Sequence, residues 1–206
     1  MNRLIAHRYS VLFFTLALIP IAWIALDFAS GQLTADPIRE IQLRTGRYAL
    51  ILLVISLACT PLYRLFHHKA ILNIRRLSGL FAVTYASLHL LNFLWLDYGF
   101  NFTFIQQDIS EKRFILAGLA AFLCLIPLTI TSTRVWKKRL GYRWKRLHRL
   151  VYPAAFLAVL HFIWLVKLDI RVPIIFAVLV ALLLTVRVSF VHRILNKITR
   201  MRYFKD

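Results

Sequence analysis

Six stretches of this chain are almost free of charge and long enough, or nearly so, to cross a lipid bilayer. They cover residues 9–26, 48–63, 77–96, 114–133, 147–166 and 172–191. A hydrocarbon core of about 30 Å needs roughly 20 apolar helical residues. Inside lipid each segment must satisfy its own backbone hydrogen bonds, so each is expected to be an α-helix. With 60% hydrophobic residues in 206, a soluble domain could not hide this apolar surface. The expected fold is therefore an all-α membrane protein, a bundle of six transmembrane helices forming one domain over residues 1–206. The first run follows Arg3 and Arg8, as a signal peptide would. It is longer than a usual signal core and has no clear small-residue cleavage site, so it is read as a retained span. The second run is short, and Arg47 and Arg64 can snorkel to lengthen it.

Charge sets the expected orientation. The N-terminus, the links 64–76 and 134–149 and the tail from Arg187 hold most of the 27 basic residues. Of the 8 acidic residues these regions hold only Asp206. The alternate links carry Asp27, Asp36, Glu40, Asp97, Asp108, Glu111 and Asp169. By the positive-inside rule, both termini and the basic links should be cytoplasmic. Trp95 and Trp164 then fall near the outer interface. The net charge of +19 does not indicate nucleic acid, because no folded soluble region presents a groove. Cys59 and Cys124 lie in apolar runs, form no C-x-x-C pair and read as small apolar filler. No Gly-rich dinucleotide loop and no internal repeat is visible.

The histidines carry the chemistry. An ionisable residue inside a span is expensive and is by default a functional site. His7, His67, His68 and His192 fall at cytoplasmic ends or in a basic link, where solvation explains them. His89 and His161 do not. Each lies roughly 18–21 Å from the inner end of its span at 1.5 Å per residue. Two neutral imidazoles at matched depth on different helices suit the axial positions of one haem iron. The bland alternative is a pair of buried histidines bonded to backbone carbonyls. His148 precedes His161 by 13 residues, roughly 20 Å nearer the cytoplasm. That spacing suits a second haem, although an ideal helix turns the two side chains about 140° apart. Pro153, between them, can kink the helix. The positions on span three that would oppose His148 are Arg75 and Arg76. Arginine is a poor iron ligand but can grip a haem propionate. Arg149 and Arg187 are similar candidates, and the second ligand of an inner haem is unidentified.

Three stretches, GQLTADPIREIQLRTGRYAL (Gly31 to Leu50), RRLSGL (Arg75 to Leu80) and TSTRVWKKRLGYRWKRLHRLVY (Thr131 to Tyr152), give the chain a family likeness. It resembles the MsrQ family, formerly called YedZ, the haem-binding membrane subunits of a bacterial methionine sulfoxide reductase system. The resemblance spans essentially all six runs. More distantly the chain is similar to the transmembrane domain of ferric reductases and NADPH oxidases. The likeness implies a b-type cytochrome of the inner membrane that takes electrons from membrane quinol. The recipient would be a periplasmic molybdopterin subunit, MsrP, which reduces methionine sulfoxide in oxidised proteins. The family's haem-associated histidines fall on His89, His148 and His161. FMN is also associated with the family, but no local motif assigns it residues, and no stretch identifies the quinone site. Arginine at 75 and 76 departs from the oxidase pattern. The chain itself would not be the subunit that reduces methionine sulfoxide.

Two other functions compete. A ferric reductase or oxidase acting on a small outside acceptor would use the same bundle with a separate flavin reductase. A non-redox transporter or scaffold would use the histidines as proton relays. No span shows the paired-glycine break of many transporters, and span centres hold no carboxylates.

Overall fold

The computed structural model describes residues 2–187 and is helical almost throughout. Helix α1 covers Asn2–Ala29, α2 Pro37–Phe66 and α3 Ala70–Leu91, which continues as a π-helical turn over Asn92–Asp97. Helix α4 is Phe102–Glu111 and α5 Arg113–Ile130. Two short helices, α6 (Arg134–Leu140) and α7 (Tyr142–Leu147), lead through a 3₁₀ turn at His148–Leu150 into α8, Val151–Leu165, and then α9, Arg171–Thr185. Five segments have the length and apolar composition to cross a membrane: His7–Ala29, Pro37–Phe66, Ala70–Asp97, Arg113–Ile130 and Tyr142–Leu165. The sixth expected run is a 15-residue apolar helix, about 22 Å long at 1.5 Å per residue. Residues 188–191 of that run, and the basic tail with His192, lie outside the described residues.

The boundaries differ from expectation where charge is mixed into a helix. Helix α2 begins 11 residues before the apolar run. Asp36 caps it by accepting from the Arg39 N–H at 3.0 Å, and Pro37 stands at the first position. There its missing N–H costs nothing. Glu40 and Arg44 pair one turn apart on this extension. Pro153 also differs from expectation. It is the third residue of α8, in the first turn, where proline removes no intrahelical bond. The break in regular α-helix lies just before it, in the 3₁₀ turn His148–Leu150.

Two antiparallel helix pairs dominate the packing, α2 with α3 and α5 with α8. Helix α1 lies on α3, and α9 on α8 and α2. Small residues allow the close approaches. Ala154 and Ala155 of α8 are wholly buried, and Gly79 of α3 sits against Ser56 of α2. Tyr85 is also fully buried, and its hydroxyl donates to the Ala17 carbonyl at 2.8 Å, tying α3 to α1. The outward faces are apolar and bare, with Leu12, Phe14, Trp23, Phe156, Ile175 and Leu182 all exposed. On a soluble protein such a surface would aggregate; in lipid it is the expected solvent-facing side. Cys59 and Cys124 are free, as filler residues would be. The bundle has an acidic end, where α1 stops and α2 starts, and a basic end around α6 and α7.

Candidate functional site: two histidines backed by glycine

Towards the acidic end the structure brings His89 of α3 and His161 of α8 together. Their ring centroids are 6.0 Å apart and their planes 89° apart. Each ring is fixed in the same way. His89 Nδ1 lies 2.9 Å from the Gln42 carbonyl oxygen, and His161 Nδ1 lies 2.7 Å from that of Phe114. A carbonyl oxygen only accepts, so in both rings Nδ1 carries the proton and Nε2 keeps its lone pair. That is the tautomer a metal-binding histidine needs, with its other nitrogen tied to a backbone carbonyl.

One turn after each of these carbonyls stands a glycine. A Cβ on Gly46 would lie 2.9 Å from the His89 ring, and one on Gly118 would lie 2.7 Å from His161 Nδ1. Only glycine lets the rings lie this close to the neighbouring helix. Both devices have one spacing: carbonyl to histidine is 47 positions in each pair. The pairs α2–α3 and α5–α8 therefore repeat the same construction, although the sequence shows no repeat. Matching side chains were never required, only a carbonyl, a glycine and a histidine in register.

Side chains that the sequence did not single out complete this end. The Gln42 amide nitrogen lies 3.3 Å from His89 Nε2, and its oxygen accepts from Asn92 Nδ2 at 2.6 Å. Asn92 also donates to the Ile38 carbonyl, while its own Oδ1 is buried without a partner among the described residues. It opens the π-helical turn that follows His89; such turns often mark functional sites. The signal in the sequence was an Asn three positions after His89 and a Gln four before Gly46, neither informative alone.

The 6.0 Å ring separation also matches two imidazoles on one iron, an arrangement in which the Gln42 amide would leave His89 Nε2. With metal–nitrogen bonds of about 2 Å and an imidazole radius of roughly 1 Å, two axial rings would have centroids about 6 Å apart. The described residues contain no cluster of three or more His, Cys, Asp or Glu able to hold a bare metal ion. A group that brings its own equatorial donors, as a porphyrin does, needs only two protein ligands.

At the basic end His148 is held differently. Its Nε2 lies 3.1 Å from Thr131 Oγ1, and Trp144 stacks on it at 4.0 Å with an angle of 29°. Thr131 spends its hydroxyl proton on the Pro127 carbonyl at 2.6 Å, which makes it the acceptor towards His148. Trp144 Nε1 in turn donates to the Thr131 carbonyl. Of the four arginines expected near a propionate, Arg75 and Arg187 point into the bundle, whereas Arg76 and Arg149 are exposed. Arg75 donates to Thr60 Oγ1 at 3.3 Å, and Arg187 donates to the Leu57 carbonyl at 2.7 Å and lies over the Tyr152 ring. Arg187 Nε is buried without a partner, and neither guanidinium is paired with a carboxylate among the described residues.

A helical membrane bundle with facing histidines and glycine-relieved helix contacts defines the class, and comparison with known families agrees. Residues 45–159 match the family described as ferric reductase like transmembrane component. That match takes in His89 and His148 and stops just before His161. The chain belongs to the MsrQ family. Over 166 residues it is 49% identical to the protein-methionine-sulfoxide reductase heme-binding subunit MsrQ of Xanthomonas campestris pv. campestris strain 8004, covering 81% of this chain and 76% of that one. It is 47% identical over 178 residues to the subunit of the same description in Xanthomonas axonopodis pv. citri, covering 84% and 82%. The corresponding protein of Rhodospirillum rubrum is 46% identical over 175 residues, 84% of each chain. The chain is thus a multi-pass membrane protein of a heme-binding family.

Proposed function

We propose that this chain is the b-type cytochrome subunit of a protein-methionine-sulfoxide reductase system, with haem b held between His89 and His161. The observation that carries the reading is that both rings have Nδ1 anchored on a backbone carbonyl and Nε2 unprotonated. When bound, haem supplies one-electron chemistry between the ferric and ferrous states. The protein's own residues fix the axial rings, exclude the bulk of water and set the local charge. His148 is proposed as an axial ligand of a second, inner haem, and Arg75 and Arg187 as partners of its propionates, with Arg76 and Arg149 nearer the headgroups. The two inward guanidiniums support this, since a buried unpaired charge is expensive and an anionic group would offset it.

In this reading the chain is one domain of six spans, with the partly described sixth run completing the count and both termini cytoplasmic. Trp95 and Trp164, both exposed, mark the outer interface. The membrane is the bacterial inner membrane. Electrons come from membrane quinol and pass to a periplasmic molybdopterin reductase of the MsrP type, which forms a heterodimer with this chain and repairs oxidised proteins. FMN is a further proposed cofactor, without assigned residues. A pyridine haemochrome assay on purified protein, with protein quantitation, tests the reading. Wild type should carry haem b, and His89→Ala, His161→Ala together should lose the haem of the paired site, keeping at most what His148 holds; full haem in the double variant overturns the assignment.

A second reading follows from the ferric-reductase-like match: electron transfer to a small acceptor with a separate flavin reductase. Rapid reduction by NADPH and such a reductase, with no reduction by quinol, would favour it.

A further inference from the structure

Near the acidic end helices α1 and α2 border a half-open crevice of about 240 Å³, lined by Pro20, Trp23 and Ile24 of α1 and Arg44 and Tyr48 of α2. We propose that this cleft binds the headgroup of the membrane quinol, so that the electron donor enters from the bilayer on the side of α2 away from His89. The inference rests on the cytochrome reading above and assigns its donor site.

The location is what distinguishes this cleft. Positions 42 and 46 of α2 serve His89, while 44 and 48 face the cavity. Two positions along an α-helix turn the side chains by about 200°, so the faces are nearly opposite. A quinol ring in the cleft would stand on the other side of one helix, about 10 Å thick, from the His89 site. No other part of the chain need carry the electron between them.

The lining suits a flat neutral ring with two hydroxyls. Trp23 and Tyr48 give aromatic walls, and Trp23 is 61% exposed on the surface read as lipid-facing, which leaves the mouth open to a donor dissolved in the membrane. Pro20 interrupts the backbone ladder of α1 beside the cavity. Arg44 is bonded to both Asp27 and Glu40, so the cluster carries a net negative charge. That charge disfavours a phospholipid phosphate and favours a neutral ring. Oxidising one quinol to the quinone breaks two O–H bonds. The two protons would leave to water at the acidic end, past the Arg44–Asp27–Glu40 ion-pair cluster that borders the cavity. The two electrons would pass one at a time to the ferric haem that His89 and His161 would hold.

The test uses haem-loaded full-length protein in nanodiscs and a short-chain benzoquinol under anaerobic conditions. The reduced b-type band should appear at least ten-fold more slowly in Trp23→Leu and in Glu40→Gln than in wild type, while dithionite reduces all three equally. Tyr48→Phe, the mildest change, should raise the quinol concentration giving half-maximal rate. An azido-quinone photolabel should attach to peptides containing Trp23 or Tyr48 and be displaced by the benzoquinol. Unchanged reduction rates, or labelling elsewhere that the benzoquinol displaces, overturns the site and leaves the cytochrome reading standing. Labelling at Trp23 that the benzoquinol does not displace marks a lipid crevice and also overturns it. A wild type that quinol cannot reduce overturns the proposed electron source, and this site with it.

Discussion

His161 and His148 come from one continuous stretch of chain, yet their rings are prepared for different partners. His161 gives its Nδ1 proton to a backbone carbonyl and leaves Nε2 open. His148 faces a threonine that has already spent its proton elsewhere, so its Nε2 carries the hydrogen and its face is covered by Trp144. His161 also meets a second histidine on α3, whereas at the basic end α3 offers Arg75. The hydrogen-bond partners show that one site is organised around nitrogen lone pairs and the other around guanidinium charge. For the second site to ligate iron, His148 must release Thr131 or use Nδ1.

The comparison can be broken at its strongest point first. His161→Ala or His89→Ala alone should remove nearly all of the low-spin b-type spectrum of the paired site, because six-coordination needs both rings. A single variant that keeps the wild-type spectrum would show that the pair does not share an iron. The glycines come next. Gly118→Ala places a methyl 2.7 Å from a ring nitrogen, and Gly46→Ala places one 2.9 Å away. Overpacking of this kind costs about 1–3 kcal/mol, so haem should bind roughly ten- to a hundred-fold more weakly. The loss should be larger for Gly118→Ala, measured by haem retention during competition with apo-myoglobin. Equal retention by both variants and wild type would mean that the close glycine contact does not position the rings.

A third experiment addresses the basic end. His148→Ala should lower haem content by no more than half and leave the paired-site spectrum intact. Loss of all haem would mean that the two ends are one cooperative unit rather than two sites. The smallest effect is expected outside the spans. The Asp108 carboxyl, bonded by Lys112 and by the Tyr98 hydroxyl, is held below the usual carboxylate range by the two hydrogen bonds, Lys112 first. Burial and the same carboxylate raise the Tyr98 phenol. A depressed folded pKa means that the stabilisation is full above an unfolded value of about 4 and is lost as pH falls further. Asp108→Asn should therefore lower thermal stability slightly at pH 7, by no more than ~1 kcal/mol after solvent screening. The gap from wild type should narrow progressively as pH falls below about 4. A gap that persisted in acid would place the effect in packing rather than charge.

Much of the candidate site is legible in the sequence. His89 and His161 stand out because a titratable group in an apolar run has few cheap explanations, and the fixed rise of a helix puts them at one depth. Gly46, Gly118, Gln42 and Asn92 are not legible. Their roles depend on which helix lies against which, and a glycine in a span looks the same whether it faces lipid or a ring. The early start of α2 is hidden for a related reason. Arg39, Glu40 and Arg44 read as a polar link until the pairing of Arg44 with Glu40 and Asp27 makes the charges compatible with a helix.

The sequence by itself determined that this chain is helical and lives in lipid, because apolar runs of span length leave the backbone no other way to satisfy its hydrogen bonds. It also determined which side chains could carry metal chemistry, since so few ionisable groups lie inside those runs. The tertiary structure alone decided which nitrogen of each ring is free. That choice belongs to a carbonyl or a hydroxyl some tens of residues away, and no local pattern records it.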